Sequence, residues 1–207
     1  MHFESHAALG WLIGNLGTDD RPLRNYCVLG AILPDVDAIS LLCGIEAYSK
    51  YHHTFGHNLF FALWYVAFVT WRVKTFRAFV LSSIAIASHL ATDACLSGWE
   101  IYLFWPFSEK GYLLANIGLG SSINRGLVFG SFVLIVFLAF THRRTPVDLF
   151  SPELDRHLVS FFMPRKQICH ECGRPCNQYC SLCHNPVCWI HGTIGKKFAL
   201  YCQKCKP

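Results

Sequence analysis

"SSIAIASHLATDA", residues 82–94, decides how this chain is read. Its isoleucines, alanines and leucine make an apolar helix, yet His89 and Asp93 interrupt it four residues apart, on one helical face. Burying a bare imidazole or carboxylate there is costly unless something compensates both groups. A divalent ion held by the two does so, and so does a hydrogen-bonded core pair. Either way the segment is a helix in an apolar bundle, which sets the fold class as mainly α.

Outward from this helix, the other apolar stretches read as helices over about 5–17, 25–33, 58–72, 75–95 and 125–141. Pro34 is expected to end the second, because the residue before a proline is pushed out of helical geometry. Only 126–141 approaches the length of a span, so crossing and deep-lying arrangements both stay open. Of the 207 residues 53% are hydrophobic and only 15% charged, oilier than an ordinary soluble domain, which points to a membrane. The net charge of +5 is scattered near the ends of apolar runs instead of forming a stripe. That favours a lipid surface as partner and argues against nucleic acid. The opening "MHFESHAALGWLIG" has no basic leader, so no secretory signal is expected.

The polar interruptions share a position. His6 starts the first helix, Asp35 and Asp37 in "LPDVD" follow the second, His52, His53 and His57 in "YHHTFGHN" (residues 51–58) open the third, and His89 and Asp93 end the fourth. In an antiparallel bundle all of these meet at one pole. Each has a plainer reading: "LPDVD" is a turn-forming terminator, one of His52 and His53 is merely interfacial, and His142 and His157 are solvated. Their coincidence favours a metal site of imidazole and carboxylate, a donor set suited to zinc and to manganese or iron.

The order His6, "LPDVD", "HHTFGH", "SHLATD", "FWPFS" also resembles the YdjM-like family, LexA-regulated membrane-bound metal-dependent hydrolases thought to be related to zinc-dependent phospholipase C. The likeness covers about residues 1–140. It implies a helical, membrane-associated metallohydrolase in the inner membrane, with His6, Asp35, His57, His89 and Asp93 as ligands of one or more divalent ions, zinc or manganese. Asp37 and His52 follow as a further ligand or as acid/base. Such a site lowers the pKa of bound water and stabilises an oxyanion, with a phosphoester, phospholipid included, as the expected substrate. Asp37, His52 or His53 would carry the proton.

The tail changes character. Eight of eleven cysteines fall in 169–205, spaced as Cys169-x2-Cys172, Cys180-x2-Cys183, Cys188-x2-His191 and Cys202-x2-Cys205, with Cys176 left over. Four such pairs suit two structural zinc ions, with the pairing open; a disulfide scaffold is the alternative. The stretch resembles a B-box or AN1-type finger up to His191 and departs from it in ending on a cysteine pair. The expected organisation is a helical membrane domain over 1–145, a linker with a short amphipathic helix over 146–167, and the finger over 168–207, which offers a surface for a protein partner. Leu154, Leu158, Phe161 and Phe162 form the apolar side of that linker helix, which either lies on a bilayer or docks on the core. Two functions compete: a working metallohydrolase, and a membrane-anchored zinc adaptor whose His/Asp cluster only braces the bundle. Arg21, Arg24, Arg72, Lys74, Arg77, His142, Arg143 and Arg144 collect at the pole opposite the histidines, which by the positive-inside rule places that pole and the finger in the cytoplasm.

Overall fold

The structure, a computed structural model, describes residues 3–118, 120–163, 167–172, 175–176, 178–188, 190–194 and 200–205. The chain divides into two compact units, Met1–Ser151 and Pro152–Pro207.

In the first unit the helices begin where the sequence supplies caps. α1 (Phe3–Gly17) is followed by α2 (Arg21–Ile32), whose first turn holds Pro22 and whose cap Asp20 accepts from the Leu23 amide. Asn58, Thr75 and Ser121 cap α4 (Leu59–Val73), α5 (Phe76–Leu96) and α6 (Ser122–His142) in the same way. α1 and α2 pack against each other so closely that a Cβ on Gly10 would lie 2.7 Å from the Val28 Cα, so only glycine fits there. The core behind them gathers Leu23, Cys27, Tyr65, Val69, Ala85 and Ile86 from α2, α4 and α5. α6 keeps Phe129, Phe132, Phe137 and Phe140 exposed, as suits a helix bathed in lipid.

Two expectations are corrected here. Pro34 ends the α geometry of α2 but not the helical run, because a 3-10 segment, Leu33–Cys43, begins there with the proline in its first turn, where no amide donor is needed. Asp35 and Asp37 therefore sit within helical turns, not in a terminating loop, and a short helix α3 (Ile45–Tyr51) follows. Among the described residues three segments, not one, are long and apolar enough to cross a membrane: Arg21–Cys43, Phe76–Leu96 and Ser122–His142. The serines and threonine of α5 do not break the helix. Ser82, Ser88 and Thr92 hydroxyls donate to backbone carbonyls of the preceding turn.

At the basic end, Arg24 is buried and pairs with Asp148, while Arg21 donates to the Asp148 and Leu149 carbonyls at 2.8 and 3.1 Å. Arg144 pairs with Asp19. These three arginines lock helix ends together, in addition to whatever charge they present to a surface.

The second unit opens with α7 (Pro152–Phe162), on which Leu154, Phe161 and Phe162 are exposed and Asp155 and Val159 buried. Three two-stranded antiparallel hairpins follow: β1 (Gln167–Ile168) with β2 (Pro175–Cys176), β3 (Gln178–Tyr179) with β4 (Pro186–Val187), and β5 (Gly192–Ile194) with β6 (Leu200–Cys202). Their shared interior consists of cysteines and Val187.

Candidate metal centre

The start of α1, the 3-10 segment, the loop ahead of α4 and the end of α5 converge on one point. Asp35, His57, His89 and Asp93 each offer a ligand atom there, all within 4.8 Å of one another. His57, His89 and Asp93 are fully buried, while the Asp35 side chain is 17% exposed and marks the open side.

The proton inventory explains what this arrangement requires. His89 Nδ1 donates to the Ala31 carbonyl at 2.6 Å and His57 Nδ1 to Asp37 Oδ2 at 2.8 Å. In neutral rings both Nε2 atoms then carry lone pairs. Those atoms face each other at 2.9 Å, and Asp93 Oδ2 lies 3.1 and 3.2 Å from them, with Asp35 Oδ1 at 3.7 Å from each. Four acceptors thus converge with no donor between them. Only a cation or a captured proton satisfies that geometry, and the donor set is the one that divalent zinc or manganese takes. The clamps on the outer nitrogens, a carboxylate and a carbonyl, are the usual partners that fix a ligating imidazole's tautomer. Where a proton takes the cation's place, His57 holds it: burial alone would push that ring's pKa down, but its hydrogen bonds to Asp37 and Asp93 outweigh burial and raise it to about 9.

A second layer surrounds these four. Asp37 is held on both oxygens, Oδ1 by His52 Nδ1 and Oδ2 by His57 Nδ1, each at 2.8 Å. The Gly56 amide also donates to Oδ2 at 3.3 Å. A Cβ on Gly56 would lie 1.8 Å from the Pro34 carbonyl oxygen, so the histidine loop closes on the 3-10 segment only through a glycine. His6 stands outside the four-residue group: its Nε2 reaches the other Asp93 oxygen, Oδ1, at 3.1 Å, and its ring stacks on His89 at 3.8 Å between centroids. Its Nδ1 is buried with no hydrogen-bond partner among the described residues.

His52 and His53 correct the view that one of the pair is merely interfacial. Their rings lie 4.3 Å apart, and those of His53 and His57 are separated by the same distance. His53 is 3% exposed, sits at φ 69°, and directs Nε2 to 3.7 Å from Asp93 Oδ2. Burial, aided by the neighbouring His57, pushes its pKa down to about 3. Trp99 and Tyr48 roof the pair, with Trp99 5.7 and 5.8 Å from the two imidazoles. His142 and His157 are exposed, and neither belongs to the His/Asp group.

The cysteine pairs of the second unit sort themselves as well. Cys169, Cys172, Cys188 and His191 form one group, and Cys180, Cys183, Cys202 and Cys205 another, so first and third pairs share a site and second and fourth share the other. Cys172 and Cys188 sulfurs are 3.7 Å apart, as are those of Cys183 and Cys202. That is the edge of a tetrahedron with metal–sulfur bonds of about 2.3 Å, and far longer than a disulfide; all eleven cysteines are free of disulfides. The Cys183 amide, joined by those of Cys202 and Leu182, outweighs burial and brings the Cys180 thiol down to about 6. Thiolate character of that kind suits a metal ligand. Cys176 belongs to neither group.

A family model described as YdjM inner membrane protein matches residues 1–151. The chain belongs to the YdjM inner membrane protein family. No curated protein and no solved structure matches it. The YdjM match takes in the whole His/Asp cluster and stops where α7 begins, so both cysteine groups lie beyond it. Within the YdjM region, sequence reading missed Trp99 and Tyr48. One aromatic on a seven-residue helix and one in a bend carry no spacing signal, and only the ring contacts reveal them.

Proposed function

We propose that the helical unit is a membrane-bound metal-dependent hydrolase that cleaves a phosphoester with metal-activated water. The observation that supports it is the donor-free convergence of His57 Nε2, His89 Nε2, Asp93 Oδ2 and Asp35 Oδ1. A divalent ion held there supplies the charge that lowers the pKa of water and favours an anionic transition state. His57, His89, Asp93 and Asp35 are its ligands, and His6 joins through Asp93. Asp37 acts as a positioning residue, because both its oxygens are engaged in aligning His57 and His52. The acid/base role falls to His52, whose Nδ1 is oriented by Asp37 at 2.8 Å, and not to His53, which burial makes a weak base. Zinc is the natural occupant of both cysteine sites, which stabilise a tail too small for an ordinary core and present a surface for a protein partner. The location is the inner membrane with the finger and the arginine-rich pole in the cytoplasm, and lipid, not nucleic acid, is the partner of the helical unit.

The test is a metal count on the detergent-purified chain beside hydrolysis of a chromogenic phosphodiester. More than two ions per chain and turnover lost on ligand substitution support the reading. Turnover absent across divalent metals, with the cluster still folded, leaves the adaptor reading in its place.

A further inference from the structure

Beside the metal centre a cavity of about 270 Å³ is lined by Lys50, Tyr51, Thr54, Tyr102, Trp105 and Glu109. Lys50, Tyr51 and Thr54 bracket His52 and His53 in sequence, and the Tyr102 amide donates to the His53 carbonyl at 3.2 Å, so cavity and centre share one loop. Its volume falls just under the roughly 300–1,000 Å³ of sites for drug-sized ligands, which fits a polar headgroup and excludes a whole lipid.

The charges on its walls are the informative part. Lys50 and Glu109 line the same cavity, yet among the described residues neither has an ion-pair partner within 4 Å, and they do not pair with each other. The Lys50 ammonium already lies over the Tyr51 ring at 5.2 Å, whereas Trp105 and Tyr102 have no cation of this chain on their faces among the described residues. A cavity whose lining brings together an unpaired ammonium, an unpaired carboxylate and two aromatic rings complements a molecule carrying both signs.

We propose that this cavity is the headgroup subsite of the metal centre and selects a zwitterionic phosphodiester, its phosphate toward Lys50 and its ammonium toward Glu109, Trp105 and Tyr102. This rests on the hydrolase reading for its biological sense, but binding alone tests it.

Calorimetric titration of the detergent-purified full chain with phosphocholine, choline and sn-glycerol 3-phosphate separates the charges. Phosphocholine is expected to bind about tenfold tighter than either partial ligand. Glu109→Lys should invert the preference toward glycerol 3-phosphate, and Lys50→Glu toward choline, gains that a misfolded variant would not show. Equal binding of phosphocholine and glycerol 3-phosphate by the wild type, or a preference unmoved by both reversals, overturns the proposal. Dihexanoyl phosphatidylcholine binding as tightly as phosphocholine assigns a lipid source; loss of binding on adding acyl chains assigns a soluble headgroup, and both results keep the subsite. Headgroup binding without turnover upholds the subsite and ends the hydrolase reading. Metal-dependent turnover indifferent to headgroup does the reverse.

Discussion

His57 and His89, on different elements, bring their Nε2 atoms to 2.9 Å while each Nδ1 donates elsewhere. Two lone pairs at that distance are stable only around a metal ion or a shared proton, and removing ligands tells the two apart. His57→Ala and Asp93→Ala should each empty the site and abolish hydrolysis, and the double variant should be scarcely worse, since groups acting as a unit are not additive. Asp93→Leu should remain folded, because a leucine on an apolar helix avoids the buried unpaired carboxylate that an empty site would leave. Metal analysis and circular dichroism on the four variants check this; undiminished metal in Asp93→Leu would refute the assignment.

Gly56→Ala should disable the centre without touching a ligand. The added carbon collides with the Pro34 carbonyl, so the histidine loop must retreat from the 3-10 segment and carry His57 with it. A displacement of about 1 Å is enough for roughly a hundredfold loss of activity. Helical content should be preserved, and activity with metal content the reporters.

Arg24→Ala tests the other end. It leaves Asp148 without its buried partner, a change worth about 3 kcal/mol, while Arg21 still reaches the neighbouring carbonyls. Thermal unfolding in detergent should begin roughly 6–12 °C lower. Asp148→Asn in the same background should recover part of it.

The finger's interleaved pairing predicts shared failure within a site and independence between sites. Cys188→Ser should release Cys169 and Cys172 from their metal while cobalt substitution still reports an all-sulfur site at Cys180, Cys183, Cys202 and Cys205. Chelator should expose 169–205 to protease and reductant alone should not. Sensitivity to reductant alone would indicate disulfides.

Orientation can be read by labelling. Exposed Cys43 ends the Arg21–Cys43 segment away from its arginines, whereas Thr141 lies exposed at the end of α6 beside Arg143. A membrane-impermeant maleimide should label Cys43 in intact cells and Thr141→Cys only after permeabilisation. The reverse pattern would put the finger outside.

Much of the centre was legible because helix ends are. The four-residue step from His89 to Asp93 and the cap-like position of Asn58 beside His57 follow from local chemistry, and the antiparallel run of helices then supplies one pole. The 3-10 extension past Pro34 was not legible, since it depends on Asp37 being gripped by His52 and His57, fifteen and twenty residues away. Neither was the buried state of His53, set by Trp99 in a distant loop. Metal-site pairing in the finger needed the hairpins, because equal Cys-x2-Cys gaps say nothing about which pairs meet.

α4 has fifteen residues and rises about 22 Å, against the roughly 30 Å of a bilayer's hydrocarbon layer. Were Arg72 and Lys74 level with one headgroup layer, its Asn58 end would stop about 8 Å short of the other, and His57 with it. Lipids around that end would then thin or tilt to meet the helix. Hydrophobic mismatch would thus lower a phosphate group toward the histidines, so bilayer thickness itself becomes a determinant of how readily the centre is reached.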